Sequence, residues 1–270
     1  MNYKANAYSK GDFLKPDFYY HKPVLIYADR RVRARNPEHI IIIVLFEPHG
    51  VASIIPWLNG HKDKYDYVFT YYEPLLQENE KAVKYLGVCT WIRDYKFPIK
   101  EFSVSTLVGK KCKKGLPGHA MRHHLWDAQE GISIPKKFFL SSHSMFRWAN
   151  PETHLILHDK KDPLFDSMFH IVIENIQLKN MFSEKLVDCF QTKTVPIYCG
   201  APDIGDYFNI NGIFVANNVS DIIAVCNGLT PEVYANMLPA IEDNYTLSMR
   251  YVDFNKNLDD TIKKTLIDDV

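Results

Sequence analysis

The densest group of chemically useful side chains in this sequence is a Glu-Asn pair followed closely by a Ser-Glu-Lys run. Glu174 and Asn175 end an apolar stretch, and Ser183, Glu184 and Lys185 open a predicted helix. Free N–H groups in a first helical turn attract phosphate, and the lysine adds a full positive charge. A neighbouring carboxylate can accept two hydrogen bonds from ribose or sugar hydroxyls. This pattern predicts a nucleoside-diphosphate site; the alternative is that Glu184 and Lys185 are only solvated first-turn residues.

The elements around these residues form a predicted βαβ unit over residues 169–200. A strand, FHIVI, ends at Glu174, a helix begins at the N-cap Ser183, and a second strand, VPIY, closes at Gly200. Serine is a favoured N-cap, and the apolar residues after it recur at helical spacing. Parallel sheets bind ligands at the carboxyl ends of their strands, so Glu174 and the helix start are predicted to share one edge.

Three histidines, His119, His123 and His124, lie on one predicted helix over residues 118–129. His119 and His123 are four residues apart and could both face one metal ion, which makes a metal-dependent hydrolase an alternative function. No HExxH pattern accompanies them, and no Asp-x-Asp motif follows a predicted strand. We therefore predict no metal site and expect these histidines to lie on a solvated or phosphate-adjacent helix face.

Short continuous apolar runs, typical of strands buried on both faces of a parallel sheet, recur in both halves of the chain. The clearest are PVLIY at 23–27, IIIIVLF at 40–46 and FSVSTLV at 102–108. Their alternation with helical segments predicts an α/β fold. A linker, YKFPIK, is predicted at 95–100. We predict a Rossmann-like domain over 1–96, a second over 97–250, and a C-terminal helix over 251–270 that packs back on the first domain.

Residues 169–208 resemble the donor-binding segment of the α1,3/4-fucosyltransferase family. In that family a strand ends in Glu-Asn, and an aromatic residue, Thr-Glu-Lys, a helix, a Pro-Ile-Tyr strand and a Gly follow. Here Ser183 replaces the usual Thr, which keeps the hydroxyl, and Cys199 stands where an aromatic residue is common. The resemblance implies a GT-B fold, in which two Rossmann-like domains face a cleft and the second holds a sugar nucleotide.

Two weaker similarities extend this resemblance. The run KEFSVSTLVGKK followed by GHAMRHHLW is similar to the first strand and helix of the family's donor domain, which places Arg122 where an arginine contacts the diphosphate. Upstream, IIIIVLFEPHG is similar to the acceptor domain and matches Glu47 to the proposed catalytic base. The alternative interpretations are that Arg122 is only a surface residue of the helix and that Glu47 only caps the loop at Pro48. Burial at the end of a strand would raise the pKa of such a carboxylate and suit it to act as a base.

The resemblance implies an inverting glycosyl transfer from a sugar nucleotide to a glycan or glycoconjugate hydroxyl, with no further cofactor. Glu47 would deprotonate the acceptor, Arg122 and Lys185 would stabilise the leaving diphosphate, and Glu174, Asn175 and Glu184 would orient the sugar and ribose. GDP-fucose is the first donor expected. A UDP-sugar, such as the pentose donor of a xylosyltransferase, is the second, and a sugar-nucleotide-binding protein without catalysis is a further alternative.

Composition narrows the partners and the compartment. Lys+Arg and Asp+Glu both number 32, and the resulting zero formal net charge disfavours nucleic acid, although a local basic pocket remains compatible with it. No run reaches the ~18 apolar residues of a membrane span, so no integral membrane segment is predicted. The 5 cysteines form no CxxC pair, which favours reduced thiols. We expect a soluble, cytoplasmic protein, located either in a bacterium or in the cytosol of a virus-infected host cell.

Overall fold

A computed structural model describes residues 2–9, 13–48 and 54–268, and the chain divides into two compact units. Unit 1 comprises Met1–Val88, Lys179–Met181 and Asp253–Val270. Unit 2 comprises Cys89–Leu178 and Phe182–Val252. Each unit contains its own parallel β-sheet, so the prediction of an α/β fold is confirmed.

Unit 1 is built on a five-stranded parallel sheet in the order β2-β4-β5-β6-β7, beside an antiparallel pair of β1 and β3. Its strands are β1 (Tyr3–Lys4), β2 (Asn6–Tyr8), β3 (Tyr19–Tyr20), β4 (Val24–Ala28), β5 (Ile40–Val44), β6 (Tyr67–Thr70) and β7 (Ala82–Lys84). Two short helices, α1 (Ile55–Gly60) and α2 (Glu73–Glu78), precede and follow β6.

The unbroken apolar run of β5 is explained by burial on both faces of this sheet. Ile42 and Val44 point to one face and Ile41 and Ile43 to the other, as strand geometry requires. The first face is covered by apolar residues from the end of the chain: Leu258, Ile262 and Leu266. The second is covered by residues that flank β6: Ile54, Leu58, Tyr65 and Leu75.

Unit 2 is built on a six-stranded parallel sheet in the order β10-β9-β8-β11-β12-β13. Its elements are β8 (Glu101–Val108), α3 (Pro117–Asp127), β9 (Lys136–Ser141), β10 (Leu155–Leu157), β11 (Ser167–Ile173), α4 (Glu184–Gln191), β12 (Val195–Cys199), β13 (Phe214–Val215), α5 (Val219–Asn227) and α6 (Pro231–Ser248). The last helix of the chain, α7 (Phe254–Asp268), belongs to unit 1.

The strand order of unit 2 reverses between β8 and β11. The chain runs outward from β8 through β9 to β10, then returns to place β11 on the other side of β8. In doubly wound sheets, ligands bind outside the carboxyl ends of the two strands at this switch point. The loops that follow β8 and β11 are therefore the positions at which a ligand site is expected in unit 2.

The predicted βαβ unit is confirmed: α4 connects β11 to β12, and these two strands are parallel neighbours. The boundary between the units falls at Val88 rather than at residue 96. Residues of the predicted linker pack within unit 2, because the Tyr95 hydroxyl donates to the Phe165 carbonyl at 2.7 Å. No helix in the described part of the chain is long and apolar enough to cross a bilayer.

Candidate functional site

The carboxyl end of β11 is joined to the start of α4 by Glu174 and Ser183. Glu174 is buried, and its Oε1 accepts hydrogen bonds from the backbone N–H of Ser183 at 2.8 Å and from the Ser183 hydroxyl at 2.9 Å. Its Oε2 lies 2.7 Å from the same hydroxyl. Both carboxylate oxygens are thus engaged within the protein. Glu174 positions the start of α4, whereas the sequence suggested direct contact with sugar or ribose.

Ser183 is the N-cap of α4, as predicted, and its hydroxyl accepts from the backbone N–H of Lys185. The Lys185 ammonium lies 3.3 Å from Glu184 Oε1 and 3.6 Å from Glu174 Oε2. Burial by itself would lower the pKa of Lys185, but these two carboxylates raise it above its usual value. Glu184 and Lys185 are therefore paired, partly buried residues, and the interpretation of both as solvated first-turn residues is wrong.

Arg122 reaches from α3 to the end of β11. Its Nε donates to the Ile173 carbonyl at 3.1 Å, and its Nη2 donates to the same carbonyl and to Asn175 Oδ1, the latter at 2.8 Å. Its Nη1 group forms no hydrogen bond with another described residue. Arg122 is partly buried against the strand end rather than a surface helix residue, and Asn175 helps to hold it.

The start of α3 approaches this strand end very closely. The Gly118 N–H donates to the Asn175 carbonyl at 3.0 Å. A Cβ at Gly118 would overlap the Glu174 carbonyl oxygen, so only glycine permits this approach. The first turns of α3 and α4 are consequently both held at the carboxyl end of β11.

Lys161 is a further cation of this site that the sequence analysis did not identify. Its ammonium lies 2.9 Å from Asp188 Oδ2 and 3.5 Å from Glu184 Oε1. The same ammonium lies over the Trp91 ring, 4.4 Å from the ring centre, in a cation–π contact. The other carboxylate oxygen of Asp188 accepts a hydrogen bond from the backbone N–H of Trp91 at 2.8 Å. Burial would raise the pKa of Glu184, but Lys185 and Lys161 lower it to about 2, so Glu184 is ionised at neutral pH.

His119 and His123 have different partners, and these partners do not bring the two rings to a common point. His119 Nδ1 accepts from the Lys113 N–H at 3.1 Å, and His123 Nε2 lies 2.9 Å from the Gly109 carbonyl. Burial, together with the charges of Arg122 and Lys113, lowers the pKa of His119 to about 4. Within the described ranges, no group of three or more His, Cys, Asp or Glu side chains is placed to hold a metal ion.

In unit 1, Glu47 follows β5 and its side chain is exposed. The expectation that burial desolvates this carboxylate is therefore wrong. A partly buried carboxylate at this edge is Asp29, which follows the neighbouring strand β4 and whose pKa desolvation raises to about 6. Asp29 accepts the backbone N–H groups of Phe46 at 3.0 Å and Glu47 at 3.3 Å, and so fixes the backbone at Glu47.

The comparisons with known proteins concern the fold. An α1,3-fucosyltransferase with GDP-fucose is 17% identical and has a TM-score of 0.55, covering 89% of this chain and 77% of that chain. The pneumococcal O-GlcNAc transferase GtfA, in complex with UDP and GlcNAc, is 13% identical with a TM-score of 0.54, covering 91% of this chain and 56% of that chain.

A third similar structure is a T4 phage BGT mutant in complex with UDP-glucose. It is 10% identical with a TM-score of 0.51, and the match covers 89% of this chain and 74% of that chain. Neither a protein-family model nor a curated protein matches the sequence. The chain thus has an α/β fold of the GT-B type, shared with these glycosyltransferases.

Proposed function

We propose that this protein is a sugar-nucleotide-dependent glycosyltransferase whose unit 2 binds the donor. The observation that carries the proposal is the arrangement at the end of β11, where Arg122 and the first turn of α4 meet at the topological switch point. Similar folds that hold GDP-fucose, UDP-glucose or UDP support the same class of ligand.

The leaving nucleoside diphosphate would be stabilised by fixed charges and dipoles. Lys185 and the Nη1 group of Arg122 would contact the phosphates, and the positive end of the α4 dipole would favour their negative charge. Such preorganised donors stabilise charge that grows in the transition state. Glu174 and Asn175 would act by positioning Ser183 and Arg122, and Glu184 would orient the ribose or sugar. The proposal needs no metal and no cofactor besides the sugar nucleotide.

Glu47 would be the base of an inverting single displacement. It would accept the proton of an acceptor glycan hydroxyl, whose oxygen then attacks the anomeric carbon opposite the leaving diphosphate. The bond from that carbon to the diphosphate oxygen breaks as the new glycosidic bond forms, and the anomeric configuration inverts. An exposed carboxylate with a fixed backbone can meet an acceptor from solution, which is consistent with this role.

GDP-fucose is the first candidate donor, because residues 169–208 resemble the fucosyltransferase donor segment and a GDP-fucose complex has a similar fold. A UDP-sugar such as a pentose donor is the second, supported by the two similar folds that hold UDP-glucose or UDP.

Thermal unfolding with GDP and with UDP separates the two donor candidates. The nucleotide that binds should stabilise the fold by about 2.7 kcal/mol at a hundredfold excess over its Kd. The sugar nucleotide of that base should then release nucleoside diphosphate with a glycan acceptor in excess EDTA, and NMR of the product should show inversion.

Three other results would favour different functions. Binding without any transfer would indicate a sugar-nucleotide-binding protein. A metal-reversible loss of activity in EDTA would revive metal-dependent chemistry, including the hydrolase alternative. No response to either nucleotide would refute the proposal.

Replacing Lys185 by Gln should weaken nucleoside-diphosphate binding by about tenfold or more, since a charged hydrogen bond is lost. It should also lower the stability of the unliganded protein, because Glu174 and Glu184 lose their shared cation. Calorimetry and urea unfolding measure the two effects. Lys96→Gln, at an exposed position before β8, is the matched control. Unchanged affinity in a folded Lys185→Gln variant would remove Lys185 from the site.

A further inference from the structure

The candidate donor site contains equal numbers of cations and carboxylates. Its cations are Arg122, Lys161 and Lys185, and its carboxylates are Glu174, Glu184 and Asp188. Their formal charges sum to zero. Each phosphate of a sugar nucleotide is negatively charged, and its desolvation beside a neutral cluster is unfavourable unless further cations compensate. Positive charge from outside this cluster would therefore add to the stabilisation of a bound diphosphate by Lys185 and Arg122.

The loop between β8 and α3, residues 109–116, carries four exposed lysines and is here named the lysine loop. They are Lys110, Lys111, Lys113 and Lys114. None of them forms an ion pair with a carboxylate in the described ranges of the chain. Because β8 and β11 are adjacent parallel strands, the loop lies at the same sheet edge as Glu174. It is also one of the two loops that flank the switch point.

The lysine loop is held in place at both ends. At its start, the Lys110 N–H donates to the Ser144 carbonyl at 2.8 Å. Near its end, the Lys113 N–H donates to His119 Nδ1 at 3.1 Å. These hydrogen bonds fix the backbone and leave the lysine ammonium groups exposed. The loop can therefore present positive charge without first becoming ordered, which would otherwise reduce affinity.

His119 connects the lysine loop to the candidate site. Its ring also contacts Asn175, which accepts from Arg122, and the charges of both Arg122 and Lys113 act on it. The backbone of Lys113 and the side chain of Arg122 are thus linked through Asn175 and a histidine that is neutral at physiological pH. Both positive charges act on this histidine, so an anion bound near it would be attracted by both.

We propose that the lysine loop, chiefly through Lys113, is a second phosphate-binding element of the donor site and supplies the positive charge that the inner cluster lacks. This inference rests on the proposed function. It extends the predicted phosphate ligands from α3 and α4 to the loop after β8. Lys110, Lys111 and Lys114 contribute a local positive field around Lys113 that attracts the nucleotide, although the whole chain has zero formal net charge.

Calorimetry with GDP, UDP and the corresponding monophosphates tests this inference. Lys113→Ala should weaken diphosphate binding by about tenfold and monophosphate binding by less. Lys96→Ala removes the same charge from an exposed position in the segment before β8, and the affinity of this variant should stay within about twofold of wild type. The difference between wild type and Lys113→Ala should shrink as salt is raised, because exposed charges are screened.

The possible outcomes separate this inference from the proposed function. If wild type binds the nucleotide, Lys185→Gln weakens this binding and Lys113→Ala does not, the inference about the lysine loop is wrong and the proposed function stands. If wild type binds neither nucleotide, both proposals fail. Should Lys113→Ala not fold, the exposed pair Lys111→Ala and Lys114→Ala replaces it. Salt-dependent weakening of diphosphate binding in this double variant is then required, and unchanged binding refutes the inference.

Discussion

Two carboxylates at the carboxyl edge of the unit 1 sheet have different environments. Glu47 is exposed, whereas Asp29 is partly buried and accepts the backbone N–H groups of Phe46 and Glu47. Asp29 adopts a positive φ of 49°, a conformation that aspartate tolerates better than most residues. The pair combines an accessible carboxylate with a neighbour that fixes its backbone. In the proposed mechanism Glu47 would act as the base, and Asp29 would position it.

The Glu47→Gln variant tests the base directly. It keeps the shape of the side chain and removes its basicity, so the transfer rate should fall by about 10²–10⁴. Affinity for the nucleoside diphosphate should hardly change, because the proposed donor site belongs to unit 2. Initial rates and calorimetry on the same preparation measure both quantities.

A near wild-type rate in Glu47→Gln would contradict the assignment of the base and move attention to Asp29. A second alternative base is Glu73, whose carboxylate accepts a hydrogen bond from the Asn180 side-chain amide at 2.7 Å. A third alternative base is Asp66, which precedes β6 and accepts a hydrogen bond from the Ile41 N–H at 2.8 Å. Asp66 therefore lies at the amino edge of the sheet, opposite to Glu47. This placement excludes Asp66 from an acceptor site at the carboxyl edge.

The partly buried Asp29 should make stability depend on pH. Its pKa in the folded protein is about 6, above the ordinary value of 3.8, so the fold disfavours its ionised form. This unfavourable contribution is absent below about pH 4 and complete above about pH 6. The free energy of unfolding should therefore fall as pH rises through this window, by at most about 3 kcal/mol for a two-unit shift.

Asp29→Asn removes this titration. Relative to wild type, its free energy of unfolding should improve by up to that amount between pH 4 and pH 7. Urea unfolding at several pH values measures the difference, which cancels the titration of groups common to both proteins. A difference that does not vary with pH would show that burial does not perturb Asp29.

At the scale of elements, the start of α4 depends on a single serine. The Ser183 hydroxyl caps Lys185 and donates to Glu174, so Ser183→Ala removes a cap and leaves a buried carboxylate short of a donor. We expect a loss of about 1–3 kcal/mol in the free energy of unfolding. Ser183→Thr keeps the hydroxyl and should retain most of the stability and nucleotide affinity. An equal loss in both variants would contradict the capping role.

The elements that sequence patterns predicted are those whose burial is encoded locally. The continuous apolar run of β5 and the N-cap and apolar stripe of α4 are legible in a few neighbouring residues. Strands β1 to β3 are only two or three residues long and are stabilised by pairing, so no local periodicity reveals them. The sequence pattern does not predict helix α5, although Asn218 caps it, because only Ile222 and Cys226 of this helix are fully buried.

The same distinction applies to the candidate site. The residues on α4 follow a compact motif, and Arg122 follows a recognisable helix. Lys161 lies in a loop, and its ion pair with Asp188 joins residues 27 positions apart, so no spacing rule predicts it. Asp29 could have been suspected as an acid directly after the PVLIYA strand. Its burial and its hydrogen bonds to Phe46 and Glu47 depend on the pairing of β4 with β5.

At the scale of the molecule, unit 1 requires the end of the chain for its core. Ile262 is fully buried on α7 among residues of β4, β5 and β6. Ile262→Ala should therefore reduce the free energy of unfolding by about 2–5 kcal/mol. Lys264→Ala, on an exposed position of the same helix, should have little effect. Similar unfolding midpoints for both variants would show that α7 is not required for the stability of the sheet.

The division of unit 1 into three chain segments has a consequence for biosynthesis. A ribosome makes all of unit 2, which ends at Val252, before it makes the α7 segment that begins at Asp253. Domains fold as units when their residues are complete. Unit 1 should therefore complete its core after unit 2, with the apolar face of β4 and β5 uncovered until the α7 segment has been made. A nascent chain stalled before α7 should contain a protease-resistant unit 2 and a protease-sensitive, chaperone-accessible amino-terminal segment.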